Sequence, residues 1–255
     1  MIKNKKIFNI SKLGIMLFSL LGSFDVFAQA SSGVNLPGMS INFGQGTDLV
    51  DTMQVLVLFT VLTLAPAFII LCTSFTRIIV VLSFMRQAIG TQSMPPNQLL
   101  VGLALFLSVF VMMPTGTKIY QNSITPYMNK KITTTQALDG VEVELREFMQ
   151  SQVRKADIVL FYDVTGESVP QNINAVPLHF LIPAFIISEL KTAFQIGFLL
   201  YIPFLILDMV VASVLMAMGM MMLPPVIISM PFKLLLFVLV DGWQLVTGSI
   251  LRSFN

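Results

Sequence analysis

Charge is what this sequence has least of. Of its 255 residues only 11% are charged, against about 25% in an ordinary soluble domain. That deficit, with 55% hydrophobic residues, excludes a soluble globular protein and implies one that lives in or against a membrane. Cysteine is limited to Cys72, so no disulfide forms within one chain, and Cys72 reads as a small buried hydrophobe. His179 is the single histidine and has no cysteine, histidine or carboxylate cluster near it, which argues against a metal site. A formal charge of +2, spread along the chain, gives no footprint for nucleic acid. There is no nucleotide-binding glycine pattern, no G-x-S-x-G and no H-E-x-x-H. These patterns therefore supply no candidate catalytic residue, cofactor site or metal site.

Residues 1–28 have the form of a secretory signal peptide. Lys3, Lys5, Lys6 and Lys12 precede the apolar run Leu13 to Leu21, and Val26-Phe27-Ala28 places small residues for cleavage after Ala28. Cleavage there leaves 11 basic and 12 acidic residues and sends the new N-terminus outward. Residues 29–51, rich in Gly, Ser and Asn, are expected to form a flexible extracytoplasmic lead-in.

Residues 52–117 carry two apolar helices. Thr52 to Thr76 holds no formal charge and is long enough to cross about 30 Å of hydrocarbon. Pro66 is expected to kink it, with Thr63 satisfying the freed carbonyl. Arg77 and Arg86 follow without any offsetting acid, which puts this turn on the cytoplasmic side. They project to opposite faces of a helix, and Pro95-Pro96 ends it. Residues 99–113 form the second helix, closed by Pro114-Thr115-Gly116 and marginal as a span.

Residues 118–180 hold six bases and seven acids, the only polar region of size. A repeat of apolar positions at three- and four-residue steps predicts one amphipathic helix from about Val141 to Val159. This small extracytoplasmic subdomain holds little core of its own, and Phe148 and Phe161 are its candidate anchors for docking on copies or partners.

Residues 181–255 form an apolar hairpin in which charges are set. Glu189 and Lys191, two apart, cannot pair on one helix and need partners on another element or chain. Asp208 is the most isolated charge, with 16 uncharged residues before it and 24 after it, up to Lys233. It is neutral, paired with Lys233 or a partner's base, or facing water in a pore. Intramembrane ionisable groups are functional by default, so a proton- or ion-coupled transporter using Asp208 is the alternative function. An aspartyl protease dyad of Asp208 and Asp241 has no supporting flanking pattern. Between the helices lies Met220-Met221-Met222, preceded by Gly219 and followed by Pro224-Pro225. Thioethers are unbranched and adaptable. Several copies converging on one axis would make a deformable apolar seal, with Gly219, Pro224 and Pro225 as the bending points.

Four stretches together resemble the FliP family of flagellar export proteins, which extends to virulence type III injectisomes. They are Ser74 to Leu82, Pro95-Pro96-Asn97-Gln98, FIISELKTAFQIGF, and the MGMMMLPP loop. The resemblance runs from about Gln54 to Trp243. It implies an all-α chain of membrane-type hairpins that assembles, as a pentamer in the family, with FliQ and FliR into a ring or helical pore. Unfolded flagellar proteins would pass through that pore across the bacterial inner membrane at the flagellar basal body. Other export-apparatus membrane proteins would be neighbours, and the chain would not be an enzyme. Met220, Met221 and Met222 would be the channel gasket. Glu189, Lys191, Asp208, Lys233 and Asp241 would lie at subunit interfaces, on a stack raised largely above the bilayer plane.

Overall fold

A computed structural model of the chain describes the backbone of residues 34–36, 39–41 and 49–254, except 92–93, 171, 173–174 and 221–222, with side chains from residue 53. The expected signal peptide and its cleavage at Ala28 lie outside the described residues. The chain divides into two units, Met1–Leu64 and Ala65–Asn255.

In the first unit, β1 (Val34–Leu36) and β2 (Met39–Ile41) pair antiparallel with Val34 opposite Ile41. This short pairing falls where a lead-in without structure was expected. Helix α1 (Leu49–Leu71) then runs on into the second unit, through Pro66. Thr63 Oγ1 donates to Phe59 O at 2.7 Å. It thus serves its own turn rather than the carbonyl that Pro66 frees.

Every other regular element among the described residues is a helix. In the second unit α2 (Phe75–Ile89) buries Ile78, Val81, Leu82, Met85 and Ile89, a stripe at three- and four-residue steps. Gly90 ends it in the left-handed conformation, φ +87°, open to glycine without a Cβ penalty. Helix α3 (Asn97–Ile119) does not stop at Pro114; a π-helical turn at Tyr120–Ile124 leads directly into α4 (Thr125–Met128). The expected 15-residue helix is therefore part of a 32-residue apolar stretch, long enough to cross a membrane. An interior proline removes one donor, a loss that apolar helices accommodate by local adjustment.

The stretch expected as one amphipathic helix, Val141 to Val159, is divided between two. Thr133 opens α5 (Thr134–Gln152) with a capping box, its hydroxyl accepting from Gln136 N–H while the Gln136 side chain accepts from Thr133 N–H. Val153 and Arg154 are extended, and α6 (Lys155–Thr165) starts anew. The break has a long-range cause: Arg154 N–H donates to Ser188 Oγ at 3.1 Å, a partner that a continuous helix would not reach.

Helix α7 (Leu178–Ala217) is the spine, 40 residues through Pro183 and Pro203, or about 60 Å at 1.5 Å per residue. It is followed by α8 (Pro225–Leu239) and α9 (Gly242–Arg252), which meet at a 66° bend where Asp241 is left-handed. Two apolar cores lie along α7. The first joins Ile78, Leu82, Leu100, Phe204, Phe237 and Ile250. The second joins Met149, Ile158, Tyr162, Phe180, Leu181 and Phe185. Among the described residues three helices, over Met53–Leu71, Asn97–Met128 and Leu178–Ala217, are long and apolar enough to cross a membrane, and α8 with α9 would make a fourth if the bent pair is one span.

Candidate functional site

Two charged levels and one loop are arranged along α7. The first level is built on Ser188-Glu189. Arg77 of α2 is buried and aims its fork at Glu189: Nε donates to Oε2 at 2.9 Å and Nη2 to Oε1. Nη1 donates to Ser253 O at 2.7 Å and to Ser253 Oγ at 3.0 Å, and Nη2 also donates to Gln152 Oε1 at 3.0 Å. The Phe254 ring lies 3.8 Å from the guanidinium carbon. One turn face thus fastens α2, the end of α5 and the chain's last residues to α7. Beside it Ser188 Oγ donates to Asp157 Oδ2 at 2.6 Å, fixing the first turn of α6.

Two charges that stand without a partner in the local sequence meet here. Arg77 is buried, and its charge is met by Glu189. Glu189 finds its partner on another element of the same chain, 112 residues away. Arg86, in contrast, bonds Asn97 Oδ1 and Pro95 O across the α2–α3 turn.

The second level is Asp208. Lys233 Nζ, on α8, donates to Asp208 Oδ2 at 2.6 Å, and Ser229 Oγ donates to Oδ1. Ser229 lies one turn before Lys233, so a single face of α8 fills both carboxylate oxygens. Of the accounts open to Asp208, the structure shows pairing with Lys233 between helices of the same chain. Lys233 Nζ also lies against the end of α2, where a Cβ on Gly90 would stand 3.9 Å from it. Carbonyls at a helix C-terminus carry partial negative charge, which favours the Lys233 ammonium at this place. Ser229 was missed in the sequence; its four-residue spacing from Lys233 was the available signal.

Lys191 and Asp241 take part in no ion pair among the described residues. Phe148 packs edge-on against Phe185, ring centroids 6.0 Å apart, and Phe161 packs on the same core. Both thus make contacts with this chain's own core. The subdomain lacked a core alone, and the first turns of α7 supply one. Burial pushes the neighbouring Tyr162 phenol up from its usual range, with the charge of Glu167 adding to it.

The loop between α7 and α8 is shaped at both ends. Gly219 is left-handed, φ +74°; its N–H donates to Met216 O and the Met220 N–H to Leu215 O, both 3.0 Å. This is the double closure that glycine permits at a helix end. Pro224 then caps α8 and Pro225 is its first residue, where the missing N–H costs nothing. Met220 is exposed on this loop; Met221 and Met222 lie outside the described residues.

The chain was compared with known proteins. The FliP family matches residues 58–250. The flagellar biosynthetic protein FliP of Bacillus subtilis is 56% identical over 204 residues, 80% of this chain and 92% of that protein. That of Pectobacterium carotovorum is 51% identical over 233 residues, 90% of each chain. That of Borreliella burgdorferi is 46% identical over 229 residues, covering 89% and 90%. A match over this much of the chain, through both charged levels and the methionine loop, leaves one conclusion: the chain belongs to the FliP family.

Proposed function

We propose that this chain is a channel-forming subunit of the flagellar protein export gate in the bacterial inner membrane. Copies of it, with FliQ and FliR, would enclose a path for unfolded flagellar proteins, and Met220, Met221 and Met222 would seal that path. The observation that carries the reading is the family match, running from α1 into α9. The relatives are named for flagellar biosynthesis. Two physical features support it. Long apolar faces of α3, α7 and α8 remain uncovered in the single chain, among them Phe106, Phe110, Phe198 and Leu235; surfaces of that size are interaction surfaces. Gly219 and Pro224-Pro225 end the two flanking helices, and Met220 is exposed between them.

The transporter alternative is weaker. Both oxygens of Asp208 are occupied by Ser229 and Lys233, which leaves no open carboxylate to bind a carried ion. The test replaces Met220, Met221 and Met222 together by Gly. Expected are ion leakage through the membrane and continued export, with FliQ and FliR co-purifying. Unchanged leakage with normal export, or a chain that purifies alone, overturns the reading.

A further inference from the structure

An open groove of about 890 Å³ runs between α2 and α7, and none of the ion-paired residues or loop methionines lines it. Its floor exists because Gly197 has no side chain: a Cβ there would stand 2.9 Å from Phe84 Cγ. Phe84 lies against Phe194, ring centroids 5.3 Å apart, and Phe198, Tyr201 and Leu205 continue the wall. From Lys191 to Leu205 the groove follows 14 residues of rise, about 21 Å. That is a slot of fatty-acyl length.

One end of the slot is cationic. Lys191 lines it, is exposed, and has no carboxylate partner among the described residues. Arg154 reaches the same end from the α5–α6 break. Its Nη2 donates to Gln195 Oε1 at 2.7 Å and to Thr192 Oγ1 at 3.4 Å, neutral partners only. Gln195 is one helical turn beyond Lys191 on the same face. Two cations that take part in no ion pair among the described residues therefore stand toward one end of an apolar slot. Their level on α7 suits a membrane boundary. The 26 residues from Thr192 to Ala217 contain one charge, Asp208, which is already paired. They rise about 39 Å, enough to cover the roughly 30 Å of hydrocarbon.

We propose that this groove binds an anionic phospholipid, its phosphate between Lys191 and Arg154 and one acyl chain along Phe84, Phe194 and Phe198. The inference does not depend on the export reading, since it uses only this chain's cations and slot.

The test is competitive binding to the full chain in neutral detergent, read by native mass spectrometry with phosphatidylglycerol and phosphatidylcholine. Retention of phosphatidylglycerol over phosphatidylcholine is expected in the wild type, with the preference falling about fivefold for Lys191→Gln. Arg154→Gln lowers it similarly, and Phe198→Glu abolishes binding of both lipids. Glycerophosphate, the headgroup without chains, is expected not to compete. Equal retention of the two lipids by the wild type overturns the proposal and needs no variant that must fold. Displacement by glycerophosphate overturns it too, by reducing the site to a surface anion contact. So does a disulfide between two copies at Phe198→Cys that forms equally with and without phosphatidylglycerol, since a second chain would then fill the slot.

Discussion

Arg77 and Glu189 form a buried pair in which all five guanidinium donors are used, two by Glu189 and the rest by Gln152 and Ser253. A charge taken out of water is tolerable only when paired and hydrogen-bonded in this way. Glu189→Ala leaves a buried cation without its counter-charge and is expected to destabilise the chain by about 3–5 kcal/mol. Arg77→Met combined with Glu189→Leu removes both charges at similar volume and should recover most of that loss. Thermal melting in detergent of the wild type, single and double variants checks it. A double variant as unstable as Glu189→Ala refutes the account.

The last residues belong to the same knot. Ser253 gives two acceptors to Arg77 Nη1, and Phe254 covers the guanidinium. Truncation after Arg252 unpairs buried donors and is expected to cost about 1–3 kcal/mol. Phe254→Ala alone should cost less, about 0.5–2 kcal/mol. Protease susceptibility at the α5–α6 break reads this out, because Gln152 loses its surroundings when the tail leaves.

How much of this was legible beforehand follows from the range of the forces involved. The apolar helices and the loop-bounding Gly219 and Pro224-Pro225 were legible because hydrophobic runs and helix ends are local signals. Arg77 looked like a lone cation because its counter-charge lies on a helix 112 positions later. The α5–α6 break was invisible for the same reason: its extended residues are held by Ser188. Pro114 misled in the opposite direction. Its local rule, that proline ends a helix, was overridden in a long apolar helix that continues to Ile119. The resemblance to the FliP family was carried by short motifs, and two of them, around Arg77 and around Ser188-Glu189, turn out to be the two sides of one buried junction.

For Asp208 and Lys233 the helix end decides the sign of the prediction. Asp208→Asn leaves the buried Lys233 ammonium without its counter-charge. Exchanging the two, Asp208→Lys with Lys233→Asp, restores a pair on paper. It also puts a carboxylate against the C-terminal carbonyls of α2 at Gly90, where negative charge is unfavourable. The exchange is therefore expected to rescue less than Asp208→Leu with Lys233→Leu. Yield and melting temperature of the four variants decide it; full rescue by the exchange shows that the α2 end has no influence.

Tyr162 supplies a pH dependence outside the apolar spans. Its phenol is raised by burial in the folded chain. Below its ordinary pKa, about 10, both folded and unfolded forms are protonated and the stabilising preference is fully present. As pH rises above that, the unfolded chain ionises first, so stability falls until the folded phenol also titrates. Tyr162→Phe should remove this part of the alkaline loss while leaving neutral-pH stability nearly unchanged. Melting curves of both proteins on the alkaline side of pH 10 make the comparison.

Gly140 tests whether the π-helical turn is structural. Ser123, inside that turn, is buried, and its hydroxyl has no hydrogen-bond partner among the described residues. A Cβ on Gly140 of α5 would collide with that hydroxyl oxygen. The extra residue in the turn therefore brings Ser123 onto α5 at the one place where α5 has no side chain. Asn122 Nδ2, next in the turn, donates to Glu144 Oε1 at 2.8 Å, four residues along the same helix. Gly140→Ala raises intrinsic helix propensity, by about 1 kcal/mol at an exposed site. Here the collision should outweigh that gain, with overpacking costing about 1–3 kcal/mol. Ser123→Gly in the Gly140→Ala background vacates the space and should return stability towards the wild type. If Gly140→Ala alone is stabilising, α5 and the π-turn do not pack this closely in solution.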